Sequence, residues 1–502
     1  MKIATKGFLA EFDSLCERRK QEIRNTPDID PRCIGGTTYY VSNDGDDSND
    51  GLSPRTPWKT LNKVTEFPLV GGDCVRFRRG DIFRGLIMCK PCVTYTAYGE
   101  GEKPRFYGWK EALNKPELWV CVDEEHHIWK YIDLIPDVGN IVFNDGEFHS
   151  RKLIPSYIRG RFMCRDDENK PFVMADEMTQ DLDIFCYYVG NQSRKPSKGE
   201  DFPIPTLYNG CDGELFLRCD RGNPGEVFDE VEAVPRNAIF RVSTSPNVHI
   251  DNVCIKYSNF GISAGGYVIG LHVTNCEIGW IGGSIQSYDG TDPNYPEGTR
   301  GSVTRFGNGI EVYGGCENYR VTNCYTYEIY DAAMSHQIST VGRRIVMRDI
   351  KYQDNLIDKC VYGIEYFLDK NKGEDESFMD DIEMSGNIII NSGYGWGQQR
   401  HNKHTPAHIK GWSYDNTASN YRIHDNILGK AGYKMVHLVA KEQSSCPEMY
   451  NNTYIQDLGA KLGRYGGNSV AEPENLTYDE HVEDKIKEVF GEKNPTVYII
   501  KN

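Results

Sequence analysis

The chain has 502 residues, 39% of them hydrophobic, and a formal net charge of −16. It can bury a large core, but the charge argues against nucleic acid, whose binding rests on neutralising phosphates, and against a polyanionic glycan unless a local basic groove or bound cation intervenes. No stretch reaches the roughly 20 apolar residues of a membrane span, so no membrane partner is expected.

Residues 1 to 24 carry charges every few positions and lack the apolar run of a secretory signal. A reduced, cytoplasmic protein is the expectation, secreted if a signal has been trimmed. A helix is predicted over 5–25, with Phe8, Leu9, Phe12, Leu15 and Cys16 at helical spacing and Pro27 and Pro31 ending it. This segment, 1–36, is read as a lid or N-terminal cap. Next come the strand Thr37-Thr38-Tyr39-Tyr40-Val41-Ser42, an acid-rich loop from Asn43 to Gly51 and a short helix from Pro57 to Val64. The loop lacks the glutamate an EF-hand needs at its twelfth position, so a turn network is expected rather than calcium. Cys89-Lys90-Pro91-Cys92 is a CxxC without a second pair, and zinc is not expected there.

Tyr39-Tyr40-Val41-Ser42, Gly45-Asp46-Asp47, Pro57-Trp58-Lys59-Thr60-Leu61, Gly71-Gly72-Asp73 and Gly80-Asp81-Ile82-Phe83-Arg84-Gly85 stand in that order, followed by Thr94-Tyr95-Thr96-Ala97-Tyr98-Gly99. Over 37–107 the chain resembles the first coils of bacterial right-handed parallel β-helix proteins of the pectate-lyase-like superfamily, and among these most resembles the glycoside hydrolases. The resemblance implies an all-β, right-handed single-stranded parallel β-helix. It also implies a carbohydrate substrate, but the superfamily holds hydrolases, lyases, uronate epimerases and non-catalytic modules, so fold is not function.

Residues 108–236 depart from coil rhythm and are read as an inserted β-rich subdomain. Coils resume over 237–460. Seven segments place an aliphatic residue or Met two positions before Asn, Asp or Gly: Ile250-Asp251-Asn252, Val273-Thr274-Asn275, Val321-Thr322-Asn323, Met347-Arg348-Asp349, Met384-Ser385-Gly386, Ile423-His424-Asp425 and Met449-Tyr450-Asn451. Five positions after each first residue stand Ile255, Ile278, Thr326, Tyr352, Ile389, Leu428 and Tyr454. The spacing between turn residues runs from 23 (Asn252 to Asn275) to 48 (Asn275 to Asn323). Short β segments at such a period suit a solenoid whose longer intervals are loops. Asn and Asp suit its corners because they tolerate left-handed backbone. Cys276 and Cys324, at matching positions, are expected as small core residues. A capping segment with a helix from Tyr478 to Phe490 closes the chain over 461–502.

Aligned coils bring together Gly309-Ile310-Glu311, Ala333-Met334-Ser335-His336, Gly363-Ile364-Glu365 and Gly395-Trp396-Gly397. Ile310, Met334, Ile364 and Trp396 should form an inward column. Strand alternation then turns Glu311, Ser335 and Glu365 outward, with Asp331 at the edge and His336 close by. One carboxyl can protonate a leaving oxygen while another activates water or attacks the sugar. Glu311 and Glu365, two coils or roughly 10 Å apart, suit inversion; Asp331 paired with either suits retention. The candidate catalytic set is therefore Glu311, Glu365, Asp331 and His336. Candidate sugar-binding residues are Trp280, Tyr288, Arg305, Tyr313, Gln337, Tyr366, Trp396, Gln399, Arg400 and His401. The spacing of His401 and His404 lacks a third ligand, so no metal and no cofactor is expected, calcium entering only if the protein is a lyase. A lyase is disfavoured because no Lys stands beside acids on consecutive coils. The expected function is exo-acting hydrolysis of a neutral plant or host glycan, with a lyase or epimerase second and a non-catalytic binding module third. Oligomeric state is left open.

Overall fold

A computed structural model describes residues 1–30, 35–153, 177–188, 212–288, 303–339, 344–369, 377–400, 406–412, 417–440, 446–467 and 476–501. It is mostly β, dominated by two large sheets. In both, strands pair in parallel with their counterparts from neighbouring coils, except Leu476–Thr477, which runs antiparallel to Lys461–Gly467.

The first sheet shows the sequence logic directly. Its inward ladder runs Phe83, Phe106, Ile255, Ile278, Thr326, Ile357, Ile389, Leu428, Tyr454 and Val497, neighbour on neighbour. All ten are buried. Ile357 takes the place expected for Tyr352. The corner ladder explains why: Ile250, Val273, Val321, Tyr352, Met384, Ile423 and Met449 pair in sequence. The corner of the fourth coil is therefore Asp354, not Asp349, and the Met347 segment belongs one stretch earlier, against Cys316 and Met379. Asp349 misleads because it too has a positive φ, of 54°. The true corners Asn252, Asn275, Asn323, Asp354, Gly386, Asp425 and Asn451 all have φ between 55° and 67°, where Asn, Asp and Gly meet least resistance.

One residue beyond each corner the side chains stack inside. Val253, Cys276 and Cys324 are buried there, the cysteines free, and then come Asn355, Asn387, Asn426 and Asn452. Each Asn from Asn355 to Asn426 donates its Nδ2 to the next Asn Oδ1 at 2.9 Å. Glu492 ends the row, accepting from Asn452.

The helix Lys6–Arg24 lies along the flank of the coils rather than over their end. Ile23 is buried with Tyr325, Leu356 and Ile388, Phe8 stacks on Tyr498, and Arg24 makes a two-pronged ion pair with Glu277. The strand Lys2–Ile3 pairs with Thr496–Ile500, extending the first sheet beyond its final coil. The helix Val482–Val489, through Val482 and Ile486 with Tyr478 and Phe490 beside it, packs into the main core. The acid-rich loop is a hydrogen-bonded turn: Asp47 accepts from Lys59 N, Thr60 N and Thr60 Oγ1.

Between the first and later coils lies a mostly antiparallel unit with its own core, including Leu113, Trp119, Ile141, Ile184, Leu215 and Val231. Its Val142 and Val234 pack on Tyr107, Tyr257, Trp280, Tyr330 and Trp396 of the coils. Asp137, in a buried ion pair with Lys152 at 2.5 Å, accepts from Ile285 N. That contact fastens the hairpin Ser284–Tyr288 with Val303–Phe306 beside the second sheet.

Candidate active site

The second sheet carries the candidate chemistry. Its inward column is Ile262, Ile310, Met334, Ile364, Ile409, Val436 and Gly463. One residue on, pointing outward because strand side chains alternate, the row reads Ser263, Glu311, Ser335, Glu365, Lys410, His437 and Arg464. Over the part of this row from Ser263 to Glu365 opens a cavity of about 1120 Å³, lined by Glu311, Asp331 and Glu365 together with Tyr313, Gln337, Phe367, Arg400 and Trp412. Gln286 and Phe306 of the hairpin form part of its wall.

The three carboxyl groups are each at most 8% exposed. Glu311 accepts from Asn308 Nδ2 at 2.5 Å and from Gln337 Nε2 at 3.3 Å. Burial pushes its carboxyl up to about 7, with the Asn308 hydrogen bond working against the shift and the charge of Asp331 adding to it. Glu365 accepts from Trp412 Nε1. Burial first, then Asp331, raise it to about 8 against the pull of Arg400, Trp412 and Lys410. Asp331 differs in its partner: it forms an ion pair with Arg400, whose guanidinium lies 5.4 Å over the Tyr362 ring. Ser335 Oγ, buried between the Glu311 and Glu365 positions, and Gln337 Oε1 have no hydrogen-bond partner among the described residues.

The structure thus brings together Glu311, Asp331, Glu365, Tyr313, Gln337 and Arg400, and separates from them His336, Tyr366, Trp396, Trp280, Arg305 and Gln399. His336 faces inward, as its place after outward Ser335 requires. It stacks between Tyr352 and Tyr366 at 5.7 and 5.6 Å, meets Tyr352 Oη at 2.9 Å, and is lowered to about 3 by burial. Tyr366 shares that inward face and is 3% exposed. Trp396 is not in the column, where Ile409 stands. It begins the short helix Trp396–Gln399, is buried against Tyr330 and donates to Glu328 O at 2.7 Å. Trp280 is covered by the inserted unit, packed with Val142. Arg305 is buried, donating to Gly283 O and Gly139 O at 2.6 and 2.9 Å. Gln399 bridges to the inserted unit, accepting from Lys152 N and donating to Ser150 O. His401 and the Tyr288 side chain lie outside the described residues.

Sequence reasoning missed Lys410, Trp412, His437 and Asn308. The signal for Lys410 was a short one: Ala407-His408-Ile409-Lys410 shares with Tyr362-Gly363-Ile364-Glu365 only the final Ile–charged pair, at a longer interval. It also removes one argument made against a lyase, since Lys410 adjoins Glu365 on the next coil. Lys410 Nζ sits 3.4 Å from the Trp412 ring centroid and 2.6 Å from His437 Nδ1.

No protein-family model matches the chain. A lacto-N-biosidase of Bifidobacterium longum subsp. longum is 37% identical over 79 residues, which is 14% of this chain and 5% of that protein. The match thus spans a small part of the curated relative. Among solved structures, that of XylC with xylose gives a TM-score of 0.42 at 12% identity, covering 92% of this chain and 82% of that one. A GH136 lacto-N-biosidase from Eubacterium ramulus gives 0.39 at 13%, covering 98% and 71%.

Proposed function

We propose that this chain is a glycoside hydrolase built on a right-handed parallel β-helix, cleaving with Glu365 as general acid and Asp331 as its carboxylate partner. The carrying observation is the difference between neighbours in one cavity: Asp331 is paired with a guanidinium, whereas Glu365 is buried and pushed up to about 8. A carboxyl group raised by burial suits the acid, and one held against a guanidinium suits its partner. Glu311 and Glu365 are both raised, which leaves that pair without a clearly ionised member. Asp331 immediately precedes the strand paired with that of Glu365. We take the pair as retaining, which calls for carboxyl groups about 5 to 5.5 Å apart, because both interact with the Arg400 guanidinium. In this reading Glu365 protonates the glycosidic oxygen as Asp331 attacks the anomeric carbon, and then takes a proton from the water that releases the sugar. The short match to a lacto-N-biosidase also supports a glycan substrate, and the hairpin wall supports action at a chain end.

Glu365→Gln should lower turnover about 10²- to 10⁴-fold on a sugar leaving group and be partly rescued by an aryl glycoside whose phenol leaves unprotonated. Asp331→Asn should lose both. Rescue of neither variant, or an inverted anomer as first product, would overturn the assignment. A single released unit on oligosaccharides marks exo action, a mixture endo.

β-Elimination from a uronate is the second reading, and Lys410 favours it: burial and neighbouring cations lower its amine to about 6, in the range of a base. An unsaturated product absorbing in the ultraviolet would establish it.

A further inference from the structure

The Arg400 guanidinium bears on both carboxyl groups of the proposed pair: it forms an ion pair with Asp331, and its charge pulls against the rise of Glu365. Arg400 follows directly on the short helix Trp396–Gln399, its N–H donating to Gly397 O at 2.9 Å. The place of that helix therefore sets the place of the guanidinium. Its first residue is fastened to the coils, Trp396 donating from N to Glu328 Oε2 at 3.0 Å and from Nε1 to Glu328 O at 2.7 Å.

Its last residue is fastened to the inserted unit. Gln399 accepts from Lys152 N at 3.1 Å and donates to Ser150 O at 2.7 Å. Its amide thus pairs with the outermost strand of the inserted sheet, Arg151–Lys152, as the backbone of a neighbouring strand would. The same strand is anchored below: Lys152 Nζ is buried in the ion pair with Asp137. Asp137 in turn holds the hairpin wall, its carboxylate accepting from Ile285 N at 2.6 Å and its carbonyl from Ser284 Oγ at 3.0 Å. One buried pair ties the inserted unit to the hairpin on one side of the cavity and, through Gln399, to Arg400 on the other. Gln399 is itself not among the residues that line the cavity, so any effect it has on turnover must pass through a neighbour.

We propose that Gln399 is a positioning residue of the active site: by clasping the strand Arg151–Lys152 it holds Arg400 where the guanidinium meets Asp331, which makes the inserted unit a working part of the site. The proposal rests on the reading of Asp331 as the attacking carboxylate. Misplacing a group at the site by about 1 Å costs on the order of 10²-fold in rate even when the cause lies away from the chemistry.

The test is Gln399→Met in the full chain, close to Gln in length and unable to make either bond, assayed on an oligosaccharide and on a 4-nitrophenyl glycoside that the wild type cleaves. On both substrates kcat should fall about 10- to 100-fold with KM within about twofold, because the loss lies with Asp331. Glu365→Gln differs in being rescued by the aryl glycoside. In an Arg400→Gln background the same substitution should cost less than about twofold more, since both act through one contact. A residue that only docks the inserted unit would lower Tm, leave kcat per folded molecule unchanged, and multiply with Arg400→Gln. Gln399→Glu keeps the acceptor for Lys152 N and loses the donor to Ser150 O, so it should fall between wild type and Gln399→Met, and it serves as the test if the latter does not fold. Unchanged kcat, or independent losses in the double variant, overturns the positioning role and leaves the hydrolase reading standing. Turnover retained by Asp331→Asn would instead sink the catalytic assignment itself.

Discussion

Single positions in this chain are decided by which way a strand turns its side chains. His336 and Ser335 are neighbours in sequence, yet one lies in the core between Tyr352 and Tyr366 and the other on the outward row. His336→Phe should therefore keep turnover and cost about 1 kcal/mol of stability, the worth of its hydrogen bond to Tyr352; a hundredfold loss of turnover in the folded variant would restore it to the catalytic set. Glu311 and Glu365 make the opposite case, because their burial is legible in the pH dependence of stability. Both hold protons to higher pH folded than unfolded. Between the ordinary carboxyl range, about 4.3, and their raised values, the folded chain binds more protons than the unfolded one, so their contribution to stability falls as pH rises. Glu311→Gln should then raise the melting temperature at pH 8 and leave it unchanged at pH 4, as a thermal melt at each pH would show. Lys410 works in the other sense: held down to about 6, it gives up its proton on folding, and its contribution recovers as pH rises from that value toward about 10.4.

Elements are held in register by what lies at the corners of the coils. The ladder from Asn355 to Asn452 satisfies buried backbone groups on both sides: Asn387 donates to Tyr352 O and Asn426 Oδ1 and accepts from Asn355 N and Nδ2. Asn387→Ala removes all four bonds and strands buried partners, so a loss of about 2–4 kcal/mol in denaturant unfolding is expected. A cost below about 1 kcal/mol would mean the corners are not what fixes register. These corners could be read in advance because only Asn, Asp and Gly enter left-handed backbone readily. The error at Asp349 has the same origin: it stands in a second left-handed row, with Asn318, Asp381 and Asn420 at matching positions of neighbouring coils, and the same residue types serve both rows.

At the scale of the molecule, the coils are one continuous core clasped by two accessory pieces, the flank helix and the inserted unit. Ile23 carries much of the first clasp, being fully buried against Tyr325, Leu356 and Ile388. Ile23→Ala should cost about 2–4 kcal/mol without changing turnover, since the helix contributes nothing to the cavity lining; reduced turnover at unchanged stability would instead tie the helix to the site. The inserted unit covers Trp280 and Trp396, which is why two aromatic residues that read as sugar platforms are structural, while Trp412, passed over in the sequence, lines the cavity.

Local chemistry alone determined the repeat, the left-handed corners and the outward direction of Glu311 and Glu365, because strand alternation and backbone preference act within a few residues. Tertiary structure decided which coil follows which. The interval from Ile364 to Ile409 is half as long again as that from Met334 to Ile364, and a longer loop adds only a slowly growing entropy cost, so it leaves no local mark. Only pairing between coils brings Lys410 beside Glu365, and only packing of the inserted unit decides which aromatic residues stay open to a ligand.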